Sequence, residues 1–519
     1  MSFFLGIDAG TQSVKAELID VGRGEIVAAE TVHFGRELPE YGSPNGFVPN
    51  PDPKVRMADP LMWLDALDRV LEKLRASGAP LDRVAGISGS GQQHGSVCLN
   101  RHFRQLLAAL DPAKGLSEQL RPALARRLAP IWMDHSTGAE CAELDDRFGT
   151  RLQKVTGSPA IERFTGPQLR RFARREPEAW RETAEVHLVS SFLASVLAGK
   201  SMPVDFGDGA GMNLLNLETL EWDPEIADFT APELLRKLPA AVRSDLPAGN
   251  LSAYFAKFGL TPGIPVVPFS GDNPNSLVGT GATDPGTAVI SLGTSDTFFA
   301  SMPRFRTDPD GCGHVFGNPA GGFMSLICFP NGSLARERVR EACGVGFDFF
   351  DRTACEITPP GNGGKLMLPY FEPEITPPVA QPRVHCNFDP DQASPAERIR
   401  AVLESQALSM RAHSEWQQEN FTRIRVTGGA SRSGAFRRIL ADVFQSPIET
   451  IAVTDSAALG AALRAANAIG GYPFPELYRK FCATVETVRP VPERAALYGK
   501  MLRSFRSFEA AHAGAGSGK

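Results

Sequence analysis

The chain lacks paired cysteines, long apolar runs and an excess of charge, and each absence excludes a class of protein. Its eight cysteines form no Cys-x-x-Cys pair, whereas a disulfide framework or a structural zinc site needs closer, repeated spacing. No apolar stretch approaches the roughly 18 residues that cross a bilayer. Lys and Arg total 54 and Asp and Glu total 59, giving a formal charge of −5. The basic footprint of a nucleic-acid-binding protein is therefore missing, and we expect neither a membrane nor a nucleic-acid partner.

What is present is typical of a large globular enzyme. Of the 519 residues, 42% are apolar and 22% are charged, which argues against disorder and predicts two or more domains. Residues 2–7 are apolar, but they lack a basic flank and meet Asp8 too early for a signal peptide. We therefore expect a cytoplasmic protein with reduced thiols, either a monomer or a homodimer.

A strand–turn–strand pattern occurs twice. Residues 3–8 and 14–19 flank a turn at residues 9–13, and residues 288–292 and 297–300 flank a second turn at residues 293–296. This repeat predicts a duplicated domain, and alternating strands and helices predict the α/β class. We expect an N-terminal domain over 1–258, a C-terminal domain over 259–512 and a flexible tail over 513–519.

Both turns carry groups suited to polyphosphate. In residues 8–15 (DAGTQSVK) an Asp ends a strand and a Gly turn offers hydroxyl and amide groups, which can hold hydrated Mg²⁺ and phosphate oxygens. An ordinary hairpin turn is the alternative. The second turn at residues 293–295 (GTS) favours the phosphate interpretation, because two such hairpins could bind both ends of a polyphosphate.

Three further turns follow expected strands, where ligands of open α/β sheets collect. Residues 427–431 (TGGAS) precede a helix start and allow close approach of a nucleotide; a plain strand–helix turn is the alternative. Residues 271–273 (GDN) place a carboxylate after the expected strand 264–269, and Asp is also a common turn former. Residues 89–95 (GSGQQHG) offer amides and an imidazole, although a lone His is often structural.

Residues 194–201 (ASVLAGKS) imitate a phosphate-binding loop. That loop needs a strand before it and a helix after it. Here residues 186–198 read as an apolar helix that ends at Gly199, so we expect a helix C-terminus and no phosphate site.

Together, residues 8–15, 270–273, 291–295 and 427–431 resemble the ordered motifs of the FGGY family of carbohydrate kinases. Residues 89–97, 132–137, 162–168, 313–316 and 331–334 are similar, more narrowly, to members that phosphorylate D-xylulose. The resemblance implies two actin-like (ribonuclease H-like) ATPase domains flanking a central cleft. It also implies ATP-dependent conversion of D-xylulose to D-xylulose 5-phosphate, with Mg²⁺ and domain closure.

The resemblance assigns roles to individual residues. It makes Asp272 the general base and places Asp8 and Asp272 at the metal. The implied sugar-binding residues are Gln93, His94, Arg163, Asp272 and Asn273. The implied nucleotide-binding residues are Asp8, Gly10, Thr11, Gln12, Ser13, Lys15, Gly293, Thr294, Phe347, Gly428, Gly429 and Ser433. Ser433 stands where relatives have Asn, and the Phe-Gly-Gly-Tyr tetrapeptide is missing.

Two other functions stay open at this point. One is a kinase of the same family that acts on another ketose or on a polyol, such as ribulose or a glycerol-like substrate. A non-catalytic actin-fold ATPase would need Asp8 and both hairpins, but it would not need Asp272, His94 or Arg163.

Overall fold

The computed structural model describes residues 2–513 and divides into two compact units. Unit 1 comprises residues 2–283, 315–323 and 453–482, and unit 2 comprises residues 284–314, 324–452 and 483–513. The segment 453–482 therefore belongs to unit 1, although the chain on either side of it belongs to unit 2. The predicted α/β class is confirmed.

The strands in the described part of the chain are short to medium in length. They are β1 Phe3–Ala9, β2 Ser13–Asp20, β3 Glu25–His33, β4 Met57–Ala58, β5 Val84–Gly91, β6 Ser96–Asn100, β7 Ala129–Pro130, β8 Thr183–Leu188, β9 Val204–Asp205, β10 Leu215–Asn216, β11 Glu221–Trp222, β12 Ala241–Val242, β13 Gly249–Asn250, β14 Pro265–Val266, β15 Ser270–Gly271, β16 Thr287–Leu292, β17 Asp296–Met302, β18 His314–Gly317, β19 Phe323–Phe329, β20 Met367–Tyr370, β21 Arg383–Cys386, β22 Arg423–Thr427, β23 Ile448–Ile451 and β24 Thr484–Val488.

The helices alternate with these strands. They are α1 Phe34–Glu37, α2 Pro60–Ala76, α3 Phe103–Ala108, α4 Leu116–Leu120, α5 Gly138–Phe148, α6 Thr150–Thr156, α7 Thr165–Arg175, α8 Pro177–Glu182, α9 Val189–Ala198, α10 Phe206–Gly209, α11 Pro224–Thr230, α12 Leu234–Lys237, α13 Asp272–Gly279, α14 Ser333–Ala342, α15 Ala354–Ile357, α16 Pro395–Ser414, α17 Gly434–Phe444, α18 Ser456–Gly470, α19 Phe474–Phe481 and α20 Ala495–Ala513.

The predicted repeat is present in the sheets of the two units. In unit 1, β1 pairs antiparallel with β2 and parallel with β5, and β2 pairs antiparallel with β3. In unit 2, β16 pairs antiparallel with β17 and parallel with β22, which pairs parallel with β23. Each unit therefore begins with a hairpin whose first strand lies beside a parallel strand from later in the chain.

Helices cover both faces of the unit 1 sheet. Helix α2 begins at Pro60, is capped by the Asp59 carboxylate and buries its apolar face in the main core. Helix α18 packs on the other face and on α13. Glycines permit that second contact, because a Cβ on Gly279 would lie 1.8 Å from the Ser456 carbonyl oxygen and one on Gly460 would lie 1.9 Å from the Asn275 carbonyl oxygen. Backbone therefore packs directly on backbone at this crossing.

Two local expectations are corrected by the structure. The expected strand 264–269 is reduced to β14, and the separate strand β15 begins just after that range; each of the two pairs with β5. The expected helix 186–198 begins only at Val189; the residues before it extend as β8 and pair with β6. A short, fully buried apolar run does not distinguish a strand from a helix by its periodicity. The helix does end at Gly199, whose φ is 62°, so the phosphate-loop imitation is a helix end as predicted.

The compact units do not follow the expected domain limits. Residues 259–283 pack in unit 1 because β14 and β15 pair with β5, and unit 2 begins at residue 284. The functional division of the chain at 258/259 stays a prediction. Of the predicted flexible tail 513–519, Ala513 is the last residue of α20, and 514–519 lie outside the described residues.

Candidate active site

The first hairpin places Asp8 and Lys15 opposite each other. Asp8 on β1 is the register partner of Lys15 on β2, and the Lys15 ammonium forms an ion pair with Asp455. The Asp8 Oδ1 atom is buried without a hydrogen-bond partner among the described residues. Burial raises the pKa of Asp8, while the nearby Lys15 charge opposes that shift.

Glu17 is an ionisable neighbour that the sequence reasoning missed. It lies on β2 two residues beyond Lys15, so both side chains point to the same face of the sheet. Its side chain is buried, and burial together with the Asp455 carboxylate raises its pKa to about 8. The available signal was that Glu17 alternates with the apolar residues Ala16 and Leu18 on β2.

The turn between β1 and β2 is closed by its own backbone and oriented by a tryptophan. The amide of Gly10 donates to the Ser13 carbonyl oxygen at 3.0 Å. The indole N–H of Trp132 donates to the Thr11 hydroxyl at 2.7 Å. Gln12 at the tip is exposed. The turn therefore presents backbone amides and a fixed hydroxyl, the groups that anion binding requires.

Asp272 lies at the first position of α13, directly after β15. Its Oδ1 atom accepts from the Asn273 backbone amide at 2.8 Å and from Asn273 Nδ2 at 3.0 Å. Asn273 Nδ2 also donates to Gln93 Oε1 at 2.8 Å. Burial and the Asp8 charge raise the pKa of Asp272 to about 7. Three predicted sugar-site residues are thus joined in one hydrogen-bonded group that contains a carboxylate suited to proton transfer at neutral pH.

The side chains of His94 and Arg163 both lie against the phenyl ring of Phe164. The His94 imidazole stacks on Phe164 with ring centroids 4.1 Å apart, and the Arg163 guanidinium carbon lies 5.8 Å from the centre of that ring. His94 Nδ1 donates to the Gly211 carbonyl oxygen at 2.9 Å, which in the neutral ring leaves Nε2 as an acceptor. The φ of His94 is 69°, a strained value of the kind that collects at functional sites.

Two buried acids, Asp205 and Asp208, lie near the junction between β15 and α13, where Asp272 is. Asp205 accepts hydrogen bonds from the Ser270 and Ser244 hydroxyls. Asp208 accepts from Ser190, and its Oδ1 atom is buried without a partner in the described part of the chain. Burial raises the pKa of Asp208 well above the usual range. Neither acid was predicted, because the elements that carry them, β9 and α10, contain only two and four residues.

In unit 2, the second hairpin adjoins the double-glycine turn. Gly428 has φ 84°, and a Cβ there would lie 2.4 Å from the carbonyl oxygen of Leu292, the residue before Gly293. Only glycine fits this approach of the two turns. The Gly293 carbonyl oxygen accepts from the Ser333 amide at 3.0 Å, and the side chain of Thr294 is exposed.

Three predicted nucleotide residues line one cavity of unit 2. The cavity has a volume of about 430 Å³, and Phe347, Gly429 and Ser433 are among its lining residues. Phe347 is 59% exposed, and the Arg340 guanidinium carbon lies 4.4 Å from the centre of its ring. The Ser433 hydroxyl caps α17 by accepting from the Phe436 amide at 3.3 Å, so Ser433 also has a structural role.

The predicted site residues are therefore distributed over both units. Asp8, Gly10, Thr11, Gln12, Ser13, Lys15, Gln93, His94, Arg163, Asp272 and Asn273 lie in unit 1, and Gly293, Thr294, Phe347, Gly428, Gly429 and Ser433 lie in unit 2. Among residues 2–513, no three His, Cys, Asp or Glu side chains converge as a metal site. Within the same residues, every helix is too short or too polar to traverse a bilayer.

Comparisons with known proteins agree with this geometry. Residues 117–279 and 288–469 match the N-terminal and C-terminal domains of the FGGY family of carbohydrate kinases. The chain is 37% identical to xylulose kinase of Rattus norvegicus, over 97% of this chain and 96% of the relative. It is 39% identical to xylulose kinase 2 of Arabidopsis thaliana, over 90% and 87%. Xylulose kinase from Rhodospirillum rubrum has the same fold, with a TM-score of 0.84 at 22% identity and 98% coverage of both chains. The predicted two-domain actin-like architecture is confirmed.

Proposed function

Because this chain belongs to the FGGY family of carbohydrate kinases, we propose that it transfers the γ-phosphoryl group of ATP to the 5-hydroxyl of D-xylulose. The observation that carries the proposal is the group formed by Asp272, Asn273 and Gln93, in which a carboxylate with a pKa near 7 lies among hydrogen-bonding side chains. The relatives named xylulose kinase support the choice of sugar.

Asp272 acts as the general base in this proposal. In its ionised form it accepts the proton of the attacking hydroxyl as that oxygen bonds to phosphorus, and it holds the proton until the product leaves. A pKa of about 7 keeps a large fraction of the carboxylate ionised at neutral pH without making it a poor proton acceptor. Gln93, His94, Arg163 and Asn273 bind the other oxygens of the sugar.

The nucleotide is bound by backbone and small side chains. Residues Gly10 to Ser13 and Lys15 contact phosphate oxygens, as do Gly293 and Thr294, so that positioning and charge stabilisation supply the rate enhancement. Gly428 and Gly429 bind the adenosine, with Phe347 and Ser433 beside it. The cavity shared by Phe347, Gly429 and Ser433 supports this assignment. Domain closure that excludes water is part of the proposal.

Asp8 and Asp272 would hold Mg²⁺. The buried Asp8 Oδ1 atom has no hydrogen-bond partner among the described residues, and the Asp8 charge raises the pKa of Asp272. A cation would give Asp8 Oδ1 a partner and would offset the repulsion between the two carboxylates. Mg²⁺ usually takes one or two carboxylates together with waters and substrate phosphates, which agrees with so small a protein donor set. When bound, it supplies positive charge that neutralises the phosphate oxygens.

Two finer assignments complete the proposal. We expect a cytoplasmic enzyme, which the eight cysteines support because they form no disulfide among the described residues and reduced thiols are typical of that compartment. We expect it to act as a monomer or a homodimer, which analytical ultracentrifugation would decide.

A sugar competition assay tests the function. ADP formation should be stimulated by D-xylulose more than by ribulose, fructose or glycerol, and ³¹P NMR should place the phosphate on the 5-oxygen. A preference for another of these compounds would indicate a sibling kinase. ATP hydrolysis that no sugar stimulates would instead indicate a non-catalytic actin-fold ATPase.

A further inference from the structure

The side chain of Arg464 is buried in unit 1 at an unusual place for an arginine. It projects from α18, is only 2% exposed and contacts four oxygen atoms. Nη1 donates to Asn275 Oδ1 at 3.1 Å, and Nη2 donates to the carbonyl oxygens of Pro268 at 2.9 Å and Ser244 at 3.4 Å. Nη2 also donates to the Ser244 hydroxyl.

No carboxylate in the described residues lies within ion-pair distance of Arg464. A buried charge without a direct partner is costly. The nearest compensation is Asp205, which accepts from the Ser244 hydroxyl that Arg464 itself contacts. The residues that its hydrogen bonds reach show what this buried cation holds in place.

Each hydrogen bond of Arg464 leads toward the junction between β15 and α13, where Asp272 lies. The Pro268 carbonyl oxygen lies four residues before Asp272. Asn275, on α13, accepts from Arg464 and uses its own Nδ2 to donate to the carbonyl oxygens of Gly271 at 3.0 Å and Gly89 at 3.1 Å. The guanidinium is therefore connected to the backbone on both sides of Asp272.

A third connection passes through the buried serines. Ser244 and Ser270 donate to the two oxygens of the Asp205 carboxylate, and Ser270 precedes Asp272 by two residues on β15. Arg464, Ser244, Asp205 and Ser270 thus form one continuous hydrogen-bonded chain. Such chains restrict the orientation of every member. Losing one of their hydrogen bonds carries a large free-energy penalty where the dielectric constant is low.

We propose that Arg464 is a positioning residue that fixes the orientation of the Asp272 carboxylate through Asn275, Pro268 and the Ser244–Asp205–Ser270 chain. The inference rests on the proposed function of Asp272. Packing alone does not require the guanidinium, because the glycine contact between Gly279 and Gly460 already seats α18 on α13. What the guanidinium adds is a set of directional bonds, and small displacements of a catalytic group can lower turnover about 100-fold.

The test compares Arg464→Lys, Arg464→Met and Asn275→Ala in the kinase assay. We expect kcat to fall about tenfold in Arg464→Lys and Asn275→Ala, and further in Arg464→Met, while KM for both substrates stays within about twofold. Arg464→Lys should rank above Arg464→Met, because the ammonium retains the charge and can reach some of the same oxygens. Asn275→Ala keeps the arginine, so it tests the link even if the Arg464 variants do not fold.

Arg400→Lys is the matched control. Arg400 is 3% exposed, pairs with Glu404 at 2.9 Å and donates to the carbonyl oxygens of Cys355 and Thr358 in unit 2, where it touches no predicted site residue. It should lose thermal stability while kcat per folded molecule stays unchanged.

The inference is overturned if the Arg464 and Asn275 variants behave like this control, with lower stability and unchanged kcat, or if KM rises in proportion to the loss of kcat. Asp272→Asn is measured alongside them. If it keeps near-wild-type turnover, the proposed base itself is wrong. If it is inactive while the Arg464 and Asn275 variants turn over normally, only the positioning role fails.

Discussion

The indole N–H of Trp132 donates to the hydroxyl oxygen of Thr11 at 2.7 Å. An indole N–H can only donate, so the Thr11 oxygen must accept and its own hydrogen is directed elsewhere. Thr11 lies in the turn proposed to bind phosphate, and the indole ring is 40% exposed. In the proposed phosphate site, Trp132 would therefore orient the Thr11 hydroxyl to donate to the anion.

Replacing this tryptophan should weaken nucleotide binding selectively. Trp132→Phe keeps an aromatic ring but removes the donor, and a hydrogen bond worth about 1 kcal/mol corresponds to a roughly fivefold rise in KM for ATP. The KM for the sugar should stay unchanged. Trp222→Phe is the control, because its indole donates to the Pro239 carbonyl oxygen at 2.7 Å and touches no predicted site residue. Equal KM values for ATP in the two variants would contradict the role of Trp132.

The pH profile should report the Asp272 carboxylate. Its pKa is raised to about 7, and only the ionised form accepts a proton, so kcat/KM should fall as pH drops below about 7. Asn273→Ala removes a donor that stabilises the ionised form, so the acid limb should move to higher pH. Steady-state rates between pH 5 and 9 measure both profiles. An acid limb that stays in place or moves to lower pH in Asn273→Ala would argue against this assignment.

Glu17 should make the folded protein less stable as pH rises. Its pKa is about 8 when folded against 4.5 when exposed, so folding binds a proton and stability is lost between these two values. Glu17→Gln should remove that loss, which is on the order of a few kcal/mol at pH 8.5, and should have little effect at pH 4. Thermal melting with EDTA and without nucleotide measures it. Glu25→Gln, an exposed position on β3, is the control, and a pH-independent effect of Glu17→Gln would refute the account.

The two neighbouring glycines Gly428 and Gly429, proposed to bind adenosine, should respond differently to alanine. Gly428→Ala places a Cβ 2.4 Å from the Leu292 carbonyl oxygen at φ 84°, which should destabilise unit 2 by at least ~1–3 kcal/mol. A Cβ on Gly429 meets nothing within 4 Å, so Gly429→Ala should fold normally. Because Gly429 lines the cavity, that variant should instead raise KM for ATP. Urea unfolding and KM measurements distinguish the two, and similar unfolding curves would contradict the steric argument.

Much of the fold follows from local pattern. The apolar runs beside Asp8 and Gly293 became β1, β2, β16 and β17, and the strand before Gly428 became β22, because short apolar segments bounded by turn residues have few alternatives to strands. The resemblance to carbohydrate kinases rested on such turns, and the family assignment is confirmed. The roles given to individual site residues remain predictions.

Other features were beyond the reach of local pattern. The first three residues of the helix expected over 186–198 belong to β8 instead. They pair with β6, a strand that lies far away in the sequence. The strand expected over 264–269 was shortened for a similar reason, since its pairing depends on β5. Asp208 and Arg464 carry no local signature of burial; their surroundings come from segments distant in the chain.

The sequence by itself determined where the backbone turns and which polar residues stand at those turns, since strand, turn and glycine chemistry act over a few neighbouring residues. Only the tertiary structure decided how ionisable groups are perturbed and joined. It brought Gln93 to Asn273, raised the pKa of Asp272 beside Asp8, and returned residues 453–482 to unit 1, so that Arg464 bonds to residues on both sides of Asp272. Desolvation and hydrogen bonding depend on which distant segments exclude water together, and no short stretch of sequence specifies that.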